Sequence, residues 1–186
     1  FSILECPFRI KQIIEQAITH NMPAVALTDN ATMYGAIEFY QEAKNAGIKP
    51  ILGADIYVAN TITQKERWQH RLVLLCTSFK GYQNLIQLIS ISHLDGFYYK
   101  PRIDKGLLSE HAEGLIALSS CNRGEVGDNL YRENLPRAKK VADQYREIMG
   151  DDNFYLELQY HKHDWQEKAN KELVALGKEL SIPVVA

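Results

Sequence analysis

Cysteine is scarce in this chain of 186 residues: Cys6, Cys76 and Cys121 are widely separated, odd in number and form no Cys-x-x-Cys pair. That excludes a disulfide framework and fits a reducing, cytoplasmic setting. No apolar run approaches the ~18 residues of a membrane span, and no basic segment leads into an apolar one as in a secretory signal. Neither Gly-x-Gly-x-x-Gly nor a Gly-x4-Gly-Lys-Ser/Thr loop occurs, so a Rossmann turn and a P-loop have no support. Positive charge is not in excess: 21 Lys and Arg stand against 23 Asp and Glu, a formal net charge of -2. Contact with DNA would therefore have to be local rather than steered by a global field.

The content is that of a folded domain, with 46% hydrophobic and 24% charged residues and none of the composition of a disordered segment. Its length suits one domain and falls short of the roughly 250 residues of a closed eight-stranded barrel. The chain opens at Phe1 without Met, and Pro183-Val184-Val185-Ala186 reads as a strand cut before its loop. The expectation is one domain fragment, residues 1–186, truncated at both ends.

Apolar positions at Ile10, Ile13, Ile14, Ala17 and Ile18 follow the period of an amphipathic helix. Further helices are expected over 33–46 with Thr32 as cap, and over 79–93, 136–149 and 165–180. Strands are expected near 24–27, 50–58, 71–76, 115–118, 154–159 and 183–186. Asn21-Met22-Pro23, Gly47-Ile48-Lys49-Pro50 and Ser181-Ile182-Pro183 repeat one exit: a turn residue, an apolar residue and a proline that stops the helix. Segments 59–70 and 94–106 read as excursions. Strands alternating with helices predict an α/β fold with a parallel sheet, whose sites lie at the carboxyl ends of the strands.

Two acidic strand tips stand there, Asp29 after Ala24-Val25-Ala26-Leu27 and Asp55 after Pro50-Ile51-Leu52. Asp29 can equally cap a following helix, whereas Asp55 lies inside an apparent strand, where Asp is disfavoured, which points toward function. Cys121 ends another strand and reads either as a thiolate ligand or as a small buried residue. His161 and His163 are spaced to share a metal, but their polar loop favours a solvated surface. Lys100 and Arg102, interleaved with Tyr98 and Tyr99, can touch phosphates and stack on bases or simply rim a packed loop.

Six blocks taken together, PAVALTDNATMYGAIEFYQEAKNAGIKPILGADIYV, RLVLLCTSFKGYQNLIQLIS, GFYYKPRIDKGLL, EGLIALSSCNRGEV, FYLELQYH and LSIPVVA, resemble the polymerase and histidinol phosphatase (PHP) domains of bacterial DNA polymerase III alpha subunits. The resemblance spans essentially the whole chain. It implies an incomplete distorted (β/α)7 barrel, TIM-like, in which intact members bind up to three metal ions at the strands' carboxyl ends. It also implies a parent chain that is a DNA-directed DNA polymerase using Mg. The family's His-x-His and Asp-x-His motifs would then lie beyond the two ends of this sequence.

Within the sequence the ligand positions have drifted. Where the resemblance calls for Asp there is Glu5, for His there is Asn30, for Glu there is Asp55, and for another His there is Arg71; Cys121 alone keeps its type. Glu5, Asn30, Asp55 and Cys121 are thus the vestigial metal set, with no cofactor expected unless a residual Zn, Mn or Mg ion is held. His70 is one residue out of register with the lost histidine and is expected on the opposite strand face. The implied role is a scaffold that docks the proofreading exonuclease and other replicase subunits, meeting DNA through the parent polymerase and no membrane. The alternative is a metal-dependent phosphoesterase or 3'-5' exonuclease in which bound ions activate water.

Overall fold

The structure, a computed structural model, describes residues 8–160 and 164–186. Helix α1 (Ile10–Thr19) buries Ile10, Ile14 and Ala17, the i, i+4, i+7 stripe, against Phe39, Ala43 and Ile48 of the next unit. Strand β1 (Ala24–Asn30), helix α2 (Ala36–Asn45) and strand β2 (Lys49–Val58) follow. Helix α2 starts later than expected: its N-cap is Gly35, so Thr32 does not cap it. Beyond them come β3 (His70–Cys76), α3 (Phe79–Leu94), β4 (Arg102–Ile103), α4 (Lys105–Glu110) and β5 (Leu115–Leu118). A 3-10 turn (Cys121–Arg123), α5 (Glu125–Tyr131), α6 (Leu135–Met149), β6 (Phe154–Glu157), α7 (Asp164–Leu180) and β7 (Val184–Val185) complete the order.

The three proline-marked exits close alike. Asn21, Gly47 and Ser181 take left-handed φ values of 52°, 73° and 55°. One residue on, the amides of Met22, Ile48 and Ile182 each donate over 2.9 Å to the carbonyls of Ala17, Ala43 and Gly177. This is the Schellman closure, which satisfies a carbonyl the helix leaves open. Ile48 and Ile182 are buried, but Met22 is 47% exposed, so the first exit lacks the apolar anchor of the other two.

The strands lie in the order β1-β2-β3-β5-β6-β7, with β4 paired to the far end of β2. Pairs β1–β2, β2–β4, β5–β6 and β6–β7 are parallel, and the curled sheet with alternating helices is the incomplete TIM-like α/β barrel expected. Strand β3 runs the other way, antiparallel to both β2 and β5. Residues 59–69 carry no helix, and a parallel neighbour requires a crossover that usually holds one.

Alternation sorts the side chains into two faces. Ala54, Ile56, Val58, Leu72, Leu74, Leu115, Ala117, Phe154 and Leu156 are buried together beneath the helices. Asn30, Asp55, Tyr57, Arg71 and Glu157 point to the other, concave face. Two excursions are stitched to the rim by one side chain: Arg102, 1% exposed, donates to the carbonyls of Gly96 (3.0 Å), Ile62 (3.3 Å), Gln64 (3.1 Å) and Glu66 (3.0 Å).

Candidate functional site

Strands β1, β2, β5 and β6 all point their carboxyl ends at one edge of the sheet, and the reversed β3 brings its first residues there. Asn30 ends β1 and lies in register with Asp55; Tyr57 lies opposite Arg71. Cys121 follows β5 and Glu157 ends β6. The reversal of β3 is thus what delivers a guanidinium to the carboxylate on β2.

Arg71 grips Asp55 with both ends of its fork: Nε donates to Oδ1 at 2.9 Å and Nη2 to Oδ2. Its Nη1 reaches the Tyr57 hydroxyl at 3.4 Å, and its Cζ lies 4.9 Å from the centre of the Tyr57 ring. The Asn30 amide Nδ2 donates to the same hydroxyl at 2.9 Å, and the Lys100 ammonium stands 5.5 Å above the ring. Bidentate, charge-assisted pairing of this kind fixes geometry as well as charge. The Asp55 and Arg71 side chains are 19% and 11% exposed, so water does little to loosen them.

Cys121 is buried, with φ 45° after Ser120 at φ 55°, two successive left-handed residues of the kind that cluster at functional sites. Gly124 makes the turn possible, since a Cβ there would sit 1.7 Å from the Ser119 carbonyl oxygen. Burial pushes the Cys121 thiol up, the Asn122 and Gln159 backbone hydrogen bonds oppose this, and Glu157 adds to it; the group is a thiol rather than a ready thiolate at neutral pH. Cys76, away from this edge, is pushed up to about 11 by burial.

Burial also raises the Glu157 carboxyl, opposed by hydrogen bonds from Gln159 and the Ser120 backbone and reinforced by the charge of Asp55. Its Oε1 accepts from Gln159 Nε2 at 2.7 Å, while Oε2 is buried with no hydrogen-bond partner among the described residues. A carboxyl raised on folding contributes stability that is complete below its unfolded pKa and lost as pH rises through its folded one. Glu157→Gln is therefore expected to raise the melting temperature at pH 7 to 8, with the advantage vanishing below about pH 4. Thermal denaturation across that range tests it; an equal change at every pH would show that ionisation of Glu157 is not the cause.

Of the residues picked out by sequence, Asn30 and Asp55 meet directly through Tyr57 and Arg71, and Cys121 approaches them through Glu157. Glu5, His161 and His163 lie outside the described residues. Asp29 is buried and, next to Asn30 on β1, belongs to the other face of the strand. His70 turns to Asp128 on α5, with Nε2 3.2 Å from Oδ2, and does not join Asp55. Arg102 is corrected: it is spent on four backbone carbonyls inside the fold and is not available to DNA. Lys100, by contrast, is exposed. Tyr57 and Glu157 were not singled out by sequence; a Tyr and a Glu alternating with apolar residues read as ordinary solvent-facing strand positions.

Comparison with known proteins names the fold. The family model for the PHP domain matches residues 1–161. The chain belongs to the PHP domain family. The DNA polymerase III subunit alpha of Borreliella burgdorferi is 41% identical over 192 residues, an alignment covering 100% of this chain and 17% of that protein. That of Thermus aquaticus is 36% identical over 195 residues, covering 100% and 16%. The chain thus spans under a fifth of the length of these curated relatives. Among solved structures, a protein described as a candidate metal-dependent phosphoesterase from Bifidobacterium adolescentis superposes with a TM-score of 0.56 at 10% identity, over 94% of this chain and 79% of that one. An amidohydrolase from Chromobacterium violaceum, with bound sulfate and no metal, gives 0.60 at 11% identity, over 95% and 80%.

The ligand set implied by the sequence resemblance can be set against the geometry. The described residues do not fit a metal centre: no group of three or more His, Cys, Asp and Glu among them is arranged to hold an ion. Both Asp55 oxygens are engaged by Arg71, and burial raises the Cys121 thiol. A fixed positive charge stands among them. Among the described residues no helix is long and apolar enough to cross a membrane.

Proposed function

We propose that this PHP domain is the N-terminal portion of a DNA polymerase III alpha subunit, a cytoplasmic template-directed polymerase. Its own role is that of a metal-poor scaffold that docks the proofreading exonuclease and contacts other replicase subunits. The observation carrying the scaffold reading is the Arg71 fork closed on Asp55: an internal cation neutralises the carboxylate that would otherwise recruit an ion. Identity to alpha subunits along the full chain supports the parentage. Polymerase chemistry, with its Mg, belongs to the remainder of such a chain, and this domain by itself is catalytically inactive.

Co-purification of the intact subunit with its cognate exonuclease tests the scaffold. Retention of the exonuclease is expected, and its loss when this domain is deleted. An exonuclease that stays bound to the deleted form would overturn the docking role.

A second reading, a metal-dependent phosphoesterase or 3'-5' exonuclease, is favoured by one feature: Glu157, with a buried unpartnered oxygen, faces the same edge as Asp55 and Cys121. Stoichiometric Zn, Mn or Mg in protein purified without chelator would favour it over the scaffold.

A further inference from the structure

Cations and aromatic rings alternate around the mouth of the cleft. The Arg67 guanidinium stacks 4.3 Å from the centre of the Tyr99 ring and donates to its hydroxyl at 2.5 Å. Beside Arg67, Trp68 carries Arg132 at 5.2 Å from its ring, and beside Tyr99, Lys100 lies 5.5 Å from the Tyr57 ring. Trp68 is 61% and Tyr99 59% exposed. Beside Trp68 opens a cavity of about 250 Å³ lined also by Tyr57, Gln69, Arg71 and Arg123. The buried Gln69 Oε1 there has no hydrogen-bond partner among the described residues.

Two nearby carboxylates are already paired with cationic side chains. Asp55 is held by Arg71 and Asp128 by His70 and Arg132, whereas Glu66 accepts only from the neutral Asn60 amide and forms no ion pair among the described residues. Among the described residues Arg67, Lys100 and Arg123 therefore face solvent without an acidic partner, on a chain whose overall charge is -2. A local excess of cations on a weakly acidic protein attracts an anionic ligand to that place. Exposed rings, Trp68 and Tyr99, each with a cation over one face, narrow the choice. Phosphates can take the cations while unstacked bases lie on the rings, an arrangement that a duplex, with its bases already stacked, cannot exploit.

We propose that the rim formed by Arg67, Trp68, Tyr99, Lys100 and Arg123 is a binding path for single-stranded nucleic acid. It needs no metal and no hydrolytic step, and it stands on the chemistry of the rim whether or not the parent chain is a polymerase.

The test uses the intact polypeptide that carries this domain and an oligo-dT strand bearing photoreactive thymines, with crosslinked peptides mapped by mass spectrometry. Crosslinks are expected on the peptides containing Trp68 and Tyr99. Both Trp68→Ala and the pair Arg67→Glu with Lys100→Glu should lower their yield about tenfold, with a steep loss as salt rises. These side chains are exposed, so the melting temperature should hold, and crosslinks elsewhere on the polypeptide report that the strand engages it. The proposal is overturned if the two peptides stay unlabelled, if the variants label as well as the parent, or if polyglutamate competes as well as unlabelled oligo-dT. The last outcome would make the rim a docking site for an acidic protein segment.

Discussion

Arg102→Met is expected to destabilise the domain by about 3–5 kcal/mol, because four backbone carbonyls lose their buried donor at once. The guanidinium is 1% exposed, and its counter-charges are the four carbonyl dipoles of Gly96, Ile62, Gln64 and Glu66. Methionine fills much of the volume but donates nothing, so these carbonyls lose their donors, at about 1–3 kcal/mol for each that stays dry. Some will find water, which keeps the total below the sum. The Arg102 guanidinium also lies 5.5 Å from the Tyr98 ring, and methionine brings no charge to that ring face. Lysine keeps the charge but, as a compact point donor, cannot span four acceptors. Arg102→Lys should thus recover less than half the loss in urea unfolding. A methionine variant within ~0.5 kcal/mol of the parent, the usual range for surface changes, would mean that Arg102 does not hold the two excursions.

The helix exits were legible because their information is local. A turn residue, an apolar residue and a proline mark each exit, and all three close through the same backbone hydrogen bond, although at the first the apolar residue, Met22, stays exposed. The alternation of strands and helices, and with it the α/β class, was legible for the same reason. The direction of β3 was not, because Leu72-Val73-Leu74-Leu75 is the same apolar run in either orientation; only the helix-free connection carried a hint.

Lys100 and Arg102 show the limit most clearly. Two cations two residues apart share one sequence context, yet one is exposed and the other buried. Tyr99 at φ 60° just before Lys100 and the pairing of Arg102 with Tyr57 divide their fates, and the second depends on a partner far away in the chain. In the cleft, Asp55 announced itself as a misfit in a strand, whereas Tyr57 and Glu157 suited their strands and gave no signal.

Arg71→Met should be the second most damaging change, at about 3 kcal/mol. A surface ion pair would contribute only about 0–1 kcal/mol, but side-chain exposures of 11% for Arg71 and 19% for Asp55 place this pair with the buried kind. The loss should depend on pH, and its sign follows from what remains. Without the guanidinium, Asp55 keeps its charge beside Glu157, a carboxyl already raised by burial and by Asp55 itself. A buried carboxylate costs more than a buried carboxylic acid, so the deficit should be larger at pH 8 than at pH 5. Asp55→Asn in the same protein removes the orphaned charge, and the double variant should be less destabilised than the two single changes summed, by about 1–3 kcal/mol. Urea unfolding of the four proteins at both pH values measures the cycle. Additive losses that ignore pH would mean that Arg71 serves only to pack on the Tyr57 ring, and that the acidic cleft is neutralised by something other than the arginine at its centre.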